Sequence, residues 1–121
     1  YISAVPDGES VTADGKGSSV YNMAAAGEKD KYKVFFGGNY GQTVITGGCS
    51  NGKTLLMIKD SFANSLAPML TADYETIIML DMRYFAGSTQ QLIEDYGVDE
   101  ILFVAEMSGF ANDRNLIKLG F

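Results

Sequence analysis

The sequence Leu55-Leu56-Met57-Ile58-Lys59-Asp60-Ser61 is a run of four apolar residues that ends in three polar ones. Two similar apolar runs follow it, at residues 77–80 and 101–105. Nearly continuous apolar runs are typical of strands that are covered on both faces, as in a parallel sheet. The sequence therefore predicts three parallel strands, joined by segments that cross the faces of the sheet.

The segments between these runs carry helix signals. Residues 62–70 have apolar side chains at helical spacing, and Pro68 predicts a kink or an early break because proline has no backbone N–H. Ser88-Thr89-Gln90-Gln91 is a capping box that begins a second helix, and Gly97 ends it. A last helix is expected at about residues 111–119. This alternation predicts an α/β fold with right-handed crossovers on a parallel sheet.

The first part of the chain has a different character. Residues 1–52 hold ten of the fourteen glycines, with short alternating apolar pieces between turn clusters. Within a single domain over residues 1–121, we expect a β-rich, glycine-rich segment at 1–52 and a βαβαβα core at 53–121. A strand at Lys33-Val34-Phe35-Phe36 is expected to join the parallel sheet.

The composition excludes several classes of function. The 121 residues carry a formal net charge of −6 and only nine Lys and Arg residues, so binding to nucleic acid or to an anionic membrane surface is not expected. No apolar run approaches the ~20 residues that cross a bilayer. The single cysteine, Cys49, lies among turn residues, which favours an incidental thiol. Because the chain has no histidine, it cannot by itself complete a Ser-His-Asp triad. No metal site and no cofactor are predicted.

Polar residues follow each predicted strand. In an open parallel sheet, ligands bind beyond the carboxyl ends of the strands, so these groups should line one cleft. They are Gly37-Gly38-Asn39, Lys59-Asp60-Ser61, Asp81 with Arg83, and Glu106 with Ser108.

Ser61 is the most suggestive residue of the predicted cleft. It lies at a sharp strand-to-helix turn, where the free N–H groups of the helix favour a developing oxyanion. A serine or aspartate before Phe62 is also an ordinary helix N-cap, and the spacing alone favours that interpretation.

The other candidates also leave two interpretations open. Gly38 and Asn39 could supply the close backbone approach and the amide donor of an oxyanion hole, or they could form a turn. Arg83 could hold an anionic or carbohydrate group, or it could pair with Asp81 or Glu106. Tyr84 could stack on a sugar ring or belong to the core.

Two motifs in combination are similar to a known family. Lys59-Asp60-Ser61-Phe62-Ala63-Asn64-Ser65, followed by Asp81-Met82-Arg83-Tyr84-Phe85, resembles the C-terminal part of the DHHW family. These are exported bacterial proteins similar to the SGNH-hydrolase-like alginate O-acetylation proteins. The resemblance implies a partial flavodoxin/SGNH-like three-layer sandwich with a parallel sheet, and places Ser61 in the nucleophile position. It also implies an upstream Asp-His-His-Trp motif, which this sequence lacks.

The resemblance implies a function for a longer parent protein. Since the chain starts at Tyr1 without this motif, we expect it to be the C-terminal portion of an exported, membrane-anchored or cell-surface acyltransferase or esterase that acts on a polysaccharide. Ser61 would be the nucleophile. Gly38, Asn39 and the backbone N–H after Ser61 would stabilise the oxyanion, and Asp60, Arg83 and Tyr84 would contact substrate.

The implied partners are a carbohydrate or acyl-ester substrate and a membrane-bound acyltransferase, with no cofactor. The chain alone is expected to be inactive. The alternative function is a non-catalytic carbohydrate-binding or envelope-assembly module. A receiver-like signalling domain fits less well, because its acidic pair and its late lysine are not in the required places.

Overall fold

Among the residues that the structure describes, the fold is a mixed six-stranded sheet with helices packed against it. A computed structural model describes residues 2–4, 10–11, 26–27, 29, 35–36, 39–47, 49–107 and 114. The strands are β1 Ile2–Ala4, β2 Ser10–Val11, β3 Gln42–Thr46, β4 Thr54–Lys59, β5 Thr76–Asp81 and β6 Glu100–Val104. The helices are a 3₁₀ helix at Ser61–Ser65, α1 at Ala67–Leu70 and α2 at Thr89–Tyr96. None of the helices in these residues is long and apolar enough to span a membrane.

The sheet has the strand order β2-β1-β3-β5-β4-β6. β4 lies parallel to both β5 and β6, which confirms the three parallel strands predicted from the apolar runs. β3 pairs antiparallel with β5, and β1 pairs antiparallel with β3 and with β2. The chain is therefore an α/β protein, and the predicted parallel strands belong to a sheet that is mixed and not wholly parallel.

The fourth predicted strand is also corrected. Of Lys33-Val34-Phe35-Phe36, the first two residues lie outside the described residues, Phe35 forms only an isolated bridge, and Phe36 lies in a turn with a φ of 60°. The position beside β5 is taken instead by β3, a strand that the sequence patterns did not indicate.

The core lies on both faces of the central strands. All six residues of β4 are buried, and alternate side chains point to opposite faces. On one face, Leu55 and Met57 pack with Ala63 of the 3₁₀ helix and Ala67 of α1. On the other face, side chains of β4 and β5 pack with Leu92 of α2. This two-sided packing explains why the strands have apolar residues at successive positions.

The helices follow local signals, with one correction. Ser88 Oγ accepts a hydrogen bond from the Gln91 N–H at 3.3 Å, and Gly97 ends α2 in a left-handed conformation, as predicted. The predicted helix over 62–70 is two short pieces that meet at Leu66. Pro68 lies in the first turn of α1, where its missing N–H costs nothing. Apart from Arg114, the predicted last helix lies outside the described residues.

Candidate functional site

The polar ends of the parallel strands meet at one edge of the sheet. Lys59 is in register with Asp81 of β5 and with Val104 of β6. The Asp60 N–H donates to the Val104 carbonyl at 3.2 Å, and the Asp81 N–H donates to the Gly41 carbonyl at 3.0 Å. The three segments that follow β4, β5 and β6 are thus held side by side, next to the segment that contains Gly41.

Asp60 connects the turn after β4 to the end of β6. Its Oδ1 accepts the Phe62 N–H at 2.9 Å, and its Oδ2 accepts the Glu106 N–H at 2.6 Å. Both carboxylate oxygens are therefore used by the backbone, which gives Asp60 the role of positioning the turn. The Phe62 N–H, which follows Ser61 and was predicted to bind an oxyanion, is engaged by Asp60 in this arrangement.

Ser61 is the first residue of the 3₁₀ helix, and it is half-buried. The N-cap of this helix is Asp60, so the interpretation of Ser61 as the cap is wrong. Within the described part of the chain, no residue hydrogen-bonds to the Ser61 hydroxyl. The hydroxyl is thus left available at the N-terminal end of a helical turn.

Lys59 is buried beneath this helix. It continues the face of β4 that the 3₁₀ helix covers, and only 6% of the residue is exposed. Its Nζ donates to Asn64 Oδ1 at 2.7 Å and lies 3.9 Å from Asp81 Oδ2. Burial lowers the pKa of Lys59 to about 8 from an ordinary value of 10.5, and the charge of Asp81 opposes part of that shift.

Arg83 is held by the buried carboxylate of Asp81. Its Nε donates to Oδ1 at 2.9 Å and its Nη2 donates to Oδ2 at 2.6 Å, a two-point ion pair. These hydrogen bonds to Asp81 raise the pKa of Arg83 above its already high ordinary value. Of the two interpretations of Arg83, the structure shows the pairing with Asp81, while 42% of the Arg83 side chain remains exposed.

Tyr84 lies beside Arg83 at the surface and is not a core residue. It is 44% exposed, and the Arg83 guanidinium carbon lies 5.3 Å from the centre of its ring. The two residues line an open cavity of about 390 Å³ together with Phe85, Ala86 and Gly87. An exposed aromatic ring beside a cation is suited to contact a polar ligand.

Asn39 is tied to the helix that carries Ser61. Its Oδ1 accepts a hydrogen bond from Asn64 Nδ2 at 2.9 Å, and Asn64 in turn holds Lys59. Gly38, the other predicted oxyanion residue, lies outside the described residues. No role was predicted for Asn64 from the sequence. The available signal was an amide three residues after Ser61 on a helix, together with a lysine that ends an apolar strand.

Across the residues that the structure describes, no group of three or more Asp, Glu, Cys or His side chains could hold a metal ion.

The fold and the site are those of an α/β domain with a serine at a strand-to-helix turn. No family profile and no curated protein matches the chain. Among solved structures it is similar to a DHHW family protein from Eubacterium siraeum, with a TM-score of 0.76 and 24% identity over 98% of this chain and 38% of that one. This similarity confirms the predicted resemblance to the DHHW family.

A second protein has the same fold. PatB1 of Bacillus cereus matches with a TM-score of 0.72 and 26% identity, over 94% of this chain and 37% of that one. PatB1 with a sulfonyl adduct matches equally well, with the same TM-score of 0.72. The chain spans at most 38% of the length of the solved structures that it resembles.

Proposed function

We propose that the chain is the C-terminal portion of an acyltransferase or esterase in which Ser61 is the nucleophile. The observation that carries the proposal is that Asp60 caps the 3₁₀ helix, so the Ser61 hydroxyl is left unengaged among the described residues. In this position the hydroxyl is free to attack an electrophile, while the Phe62 N–H beside it is engaged by Asp60. The similarity to PatB1, an acetyltransferase, supports a general acyltransferase-like relation.

The proposed reaction proceeds through a covalent intermediate. A general base removes the proton of Ser61 Oγ as this oxygen attacks the acyl carbonyl, and the donor alcohol leaves after it accepts a proton. A carbohydrate hydroxyl or water then attacks the acyl-serine and releases Ser61. Because the chain contains no histidine, the proposed His-Asp pair would come from another part of the full-length protein.

Other parts of the proposal concern substrate and location. Asn39 and Gly38 would donate to the oxyanion, and Arg83 with Tyr84 would contact the carbohydrate acceptor, a cell-envelope or exported polysaccharide. We also propose that the parent is exported and is membrane-anchored or at the cell surface, with a membrane-bound acyltransferase as a partner. Helices on both faces of β4 and β5 support a three-layer SGNH-like sandwich.

The second candidate function is a non-catalytic carbohydrate-binding or envelope-assembly module. The exposed Tyr84 ring beside Arg83, at an open cavity, is the observation that favours it. Such a module would bind polysaccharide equally well after Ser61→Ala, and its serine would not react with electrophiles.

The test is labelling of the full-length protein with a fluorophosphonate probe, together with hydrolysis of p-nitrophenyl acetate. Ser61→Ala should abolish both signals. The matched control is Ser65→Ala, because Ser65 is on the same 3₁₀ helix but is exposed and donates its hydroxyl to the Phe62 carbonyl. Labelling and turnover that persist in Ser61→Ala would show that the nucleophile role is wrong.

A further inference from the structure

The hydrogen bond between Lys59 and Asn64 has only one allowed direction. A lysine ammonium has three donors and no acceptor. The Asn64 side chain, 2.7 Å from Lys59 Nζ, must therefore turn its carbonyl oxygen toward the lysine. With 6% of Lys59 and 2% of Asn64 exposed, the opposite orientation would place two donors face to face in a buried site.

The orientation of the Asn64 amide also fixes the orientation of the Asn39 amide. Once the Asn64 oxygen faces Lys59, its NH₂ group faces the other way and donates to the Asn39 side chain at 2.9 Å. Asn39 must accept with its carbonyl oxygen, so its own NH₂ group is left over. In the described part of the chain, nothing accepts a hydrogen bond from this NH₂ group, and Asn39 is exposed.

We propose that Lys59 and Asn64 are positioning residues that orient the Asn39 amide so that it presents a donor, and not an acceptor, at the edge of the sheet that carries Ser61. This inference rests on the proposed function, since the donor would stabilise the oxyanion formed when Ser61 attacks. Turned by half a rotation, the same amide would present a carbonyl oxygen and would repel that oxyanion. The Lys59–Asn64–Asn39 relay thus determines whether Asn39 helps or hinders the reaction.

Charged groups around Lys59 maintain its donor-only state. Asp81 on β5 lies 3.9 Å away, and Asp81 is itself held by Arg83. The charges of Asp81 and Asp60 favour the ammonium, whereas burial and Arg83 oppose it, and the resulting pKa of about 8 leaves Lys59 mainly protonated at neutral pH. At neutral pH, Lys59 therefore acts only as a hydrogen-bond donor to Asn64, and the orientation of both amides is fixed.

Asn64→Asp in the full-length protein tests the relay. The new carboxylate still accepts from Lys59, and it is close in size to the amide, so the fold should survive. It cannot donate to Asn39, which must turn its NH₂ toward the carboxylate and its oxygen toward the site. We expect kcat for p-nitrophenyl acetate to fall by about 10²-fold, with little change in KM or Tm.

A double-mutant cycle separates positioning from a general loss of structure. In an Asn39→Ala background, Asn64→Asp should cause no further loss of kcat, because the amide that it misorients is gone. Lys59→Gln is a second, uncharged variant that can both donate and accept. It should lower kcat less than Asn64→Asp does, since it leaves both amide orientations populated.

The outcomes distinguish the two proposals. If Ser61→Ala is inactive while Asn64→Asp retains full kcat, the relay is refuted and the nucleophile role stands. If the losses of kcat caused by Asn39→Ala and Asn64→Asp are additive in the double mutant, the relay is also overturned. If Ser61→Ala retains turnover, the proposed function fails, and the relay as a device for that reaction fails with it.

Discussion

The buried ammonium of Lys59 should make the stability of the protein rise with pH. The pKa of Lys59 is about 8 in the folded protein against an ordinary value of 10.5, so between these two values the unfolded chain binds a proton that the folded protein does not. The free energy of unfolding increases with pH wherever the unfolded state binds more protons. Below pH 8 both states are protonated, and the cost of burying the charge is fully present.

The expected change in the free energy of unfolding follows from the shift in the pKa of Lys59. Each pKa unit corresponds to about 1.4 kcal/mol, so the full change across the window is about 3 kcal/mol. The two nearby carboxylates, Asp81 and Asp60, are already included in the balance that places the pKa of Lys59 at about 8. A change of this size is a substantial fraction of the total stability of a small domain, which is about 5–15 kcal/mol.

The assay is denaturant unfolding of the wild type and of Lys59→Met at a series of pH values. The wild-type free energy of unfolding, minus that of the variant, should rise by about 3 kcal/mol as the pH passes through the window. Lys53→Met is the matched control, because Lys53 is exposed just before β4 and should give a nearly constant difference. If the free energies of unfolding of the wild type and of Lys59→Met change in parallel over the whole pH range, the reasoning is refuted.

Three further substitutions probe the neighbouring contacts by unfolding measurements. Asp60→Ala removes the helix cap and should cost about 1–2 kcal/mol, with slower fluorophosphonate labelling. Gly41→Ala would place a Cβ 2.7 Å from the Tyr84 carbonyl oxygen, so we expect a loss of about 1–3 kcal/mol as the backbone moves apart. Arg83→Ala leaves the buried Asp81 carboxylate without its two-point partner and should cost about 1–3 kcal/mol as well as raising KM.

Each of these predictions has an outcome that contradicts it. If Asp60→Ala leaves the rate of fluorophosphonate labelling unchanged, the helix cap has no influence on the reactivity of Ser61. Gly27→Ala is the control for Gly41→Ala, since a Cβ at Gly27 would meet nothing within 4 Å, and equal effects of the two changes would contradict the steric argument. If Arg83→Ala raises KM but leaves stability unchanged, the ion pair contributes no net stabilisation.

Much of the fold could be predicted because its signals are local. β4 and β5 are buried on both faces, and their apolar runs are visible without knowledge of their neighbours. Ser88 and Gly97 cap α2 through contacts within a few residues. β3 was missed although its sequence, Gln-Thr-Val-Ile-Thr, is rich in β-branched residues, because only Val44 and Ile45 are apolar and no continuous apolar run marks the strand.

The sequence by itself determined the central strands and the position of Ser61 at a strand-to-helix turn. Only the tertiary structure decided that Asp60 and not Ser61 is the cap, since both residue types can cap a helix; the same Asp60 side chain also accepts from the Glu106 N–H, 46 residues further along the chain. The link from Lys59 through Asn64 to Asn39 was likewise decided by the fold. Local patterns arise from a residue's own neighbours along the chain, whereas the burial and pairing of polar groups arise where distant segments meet.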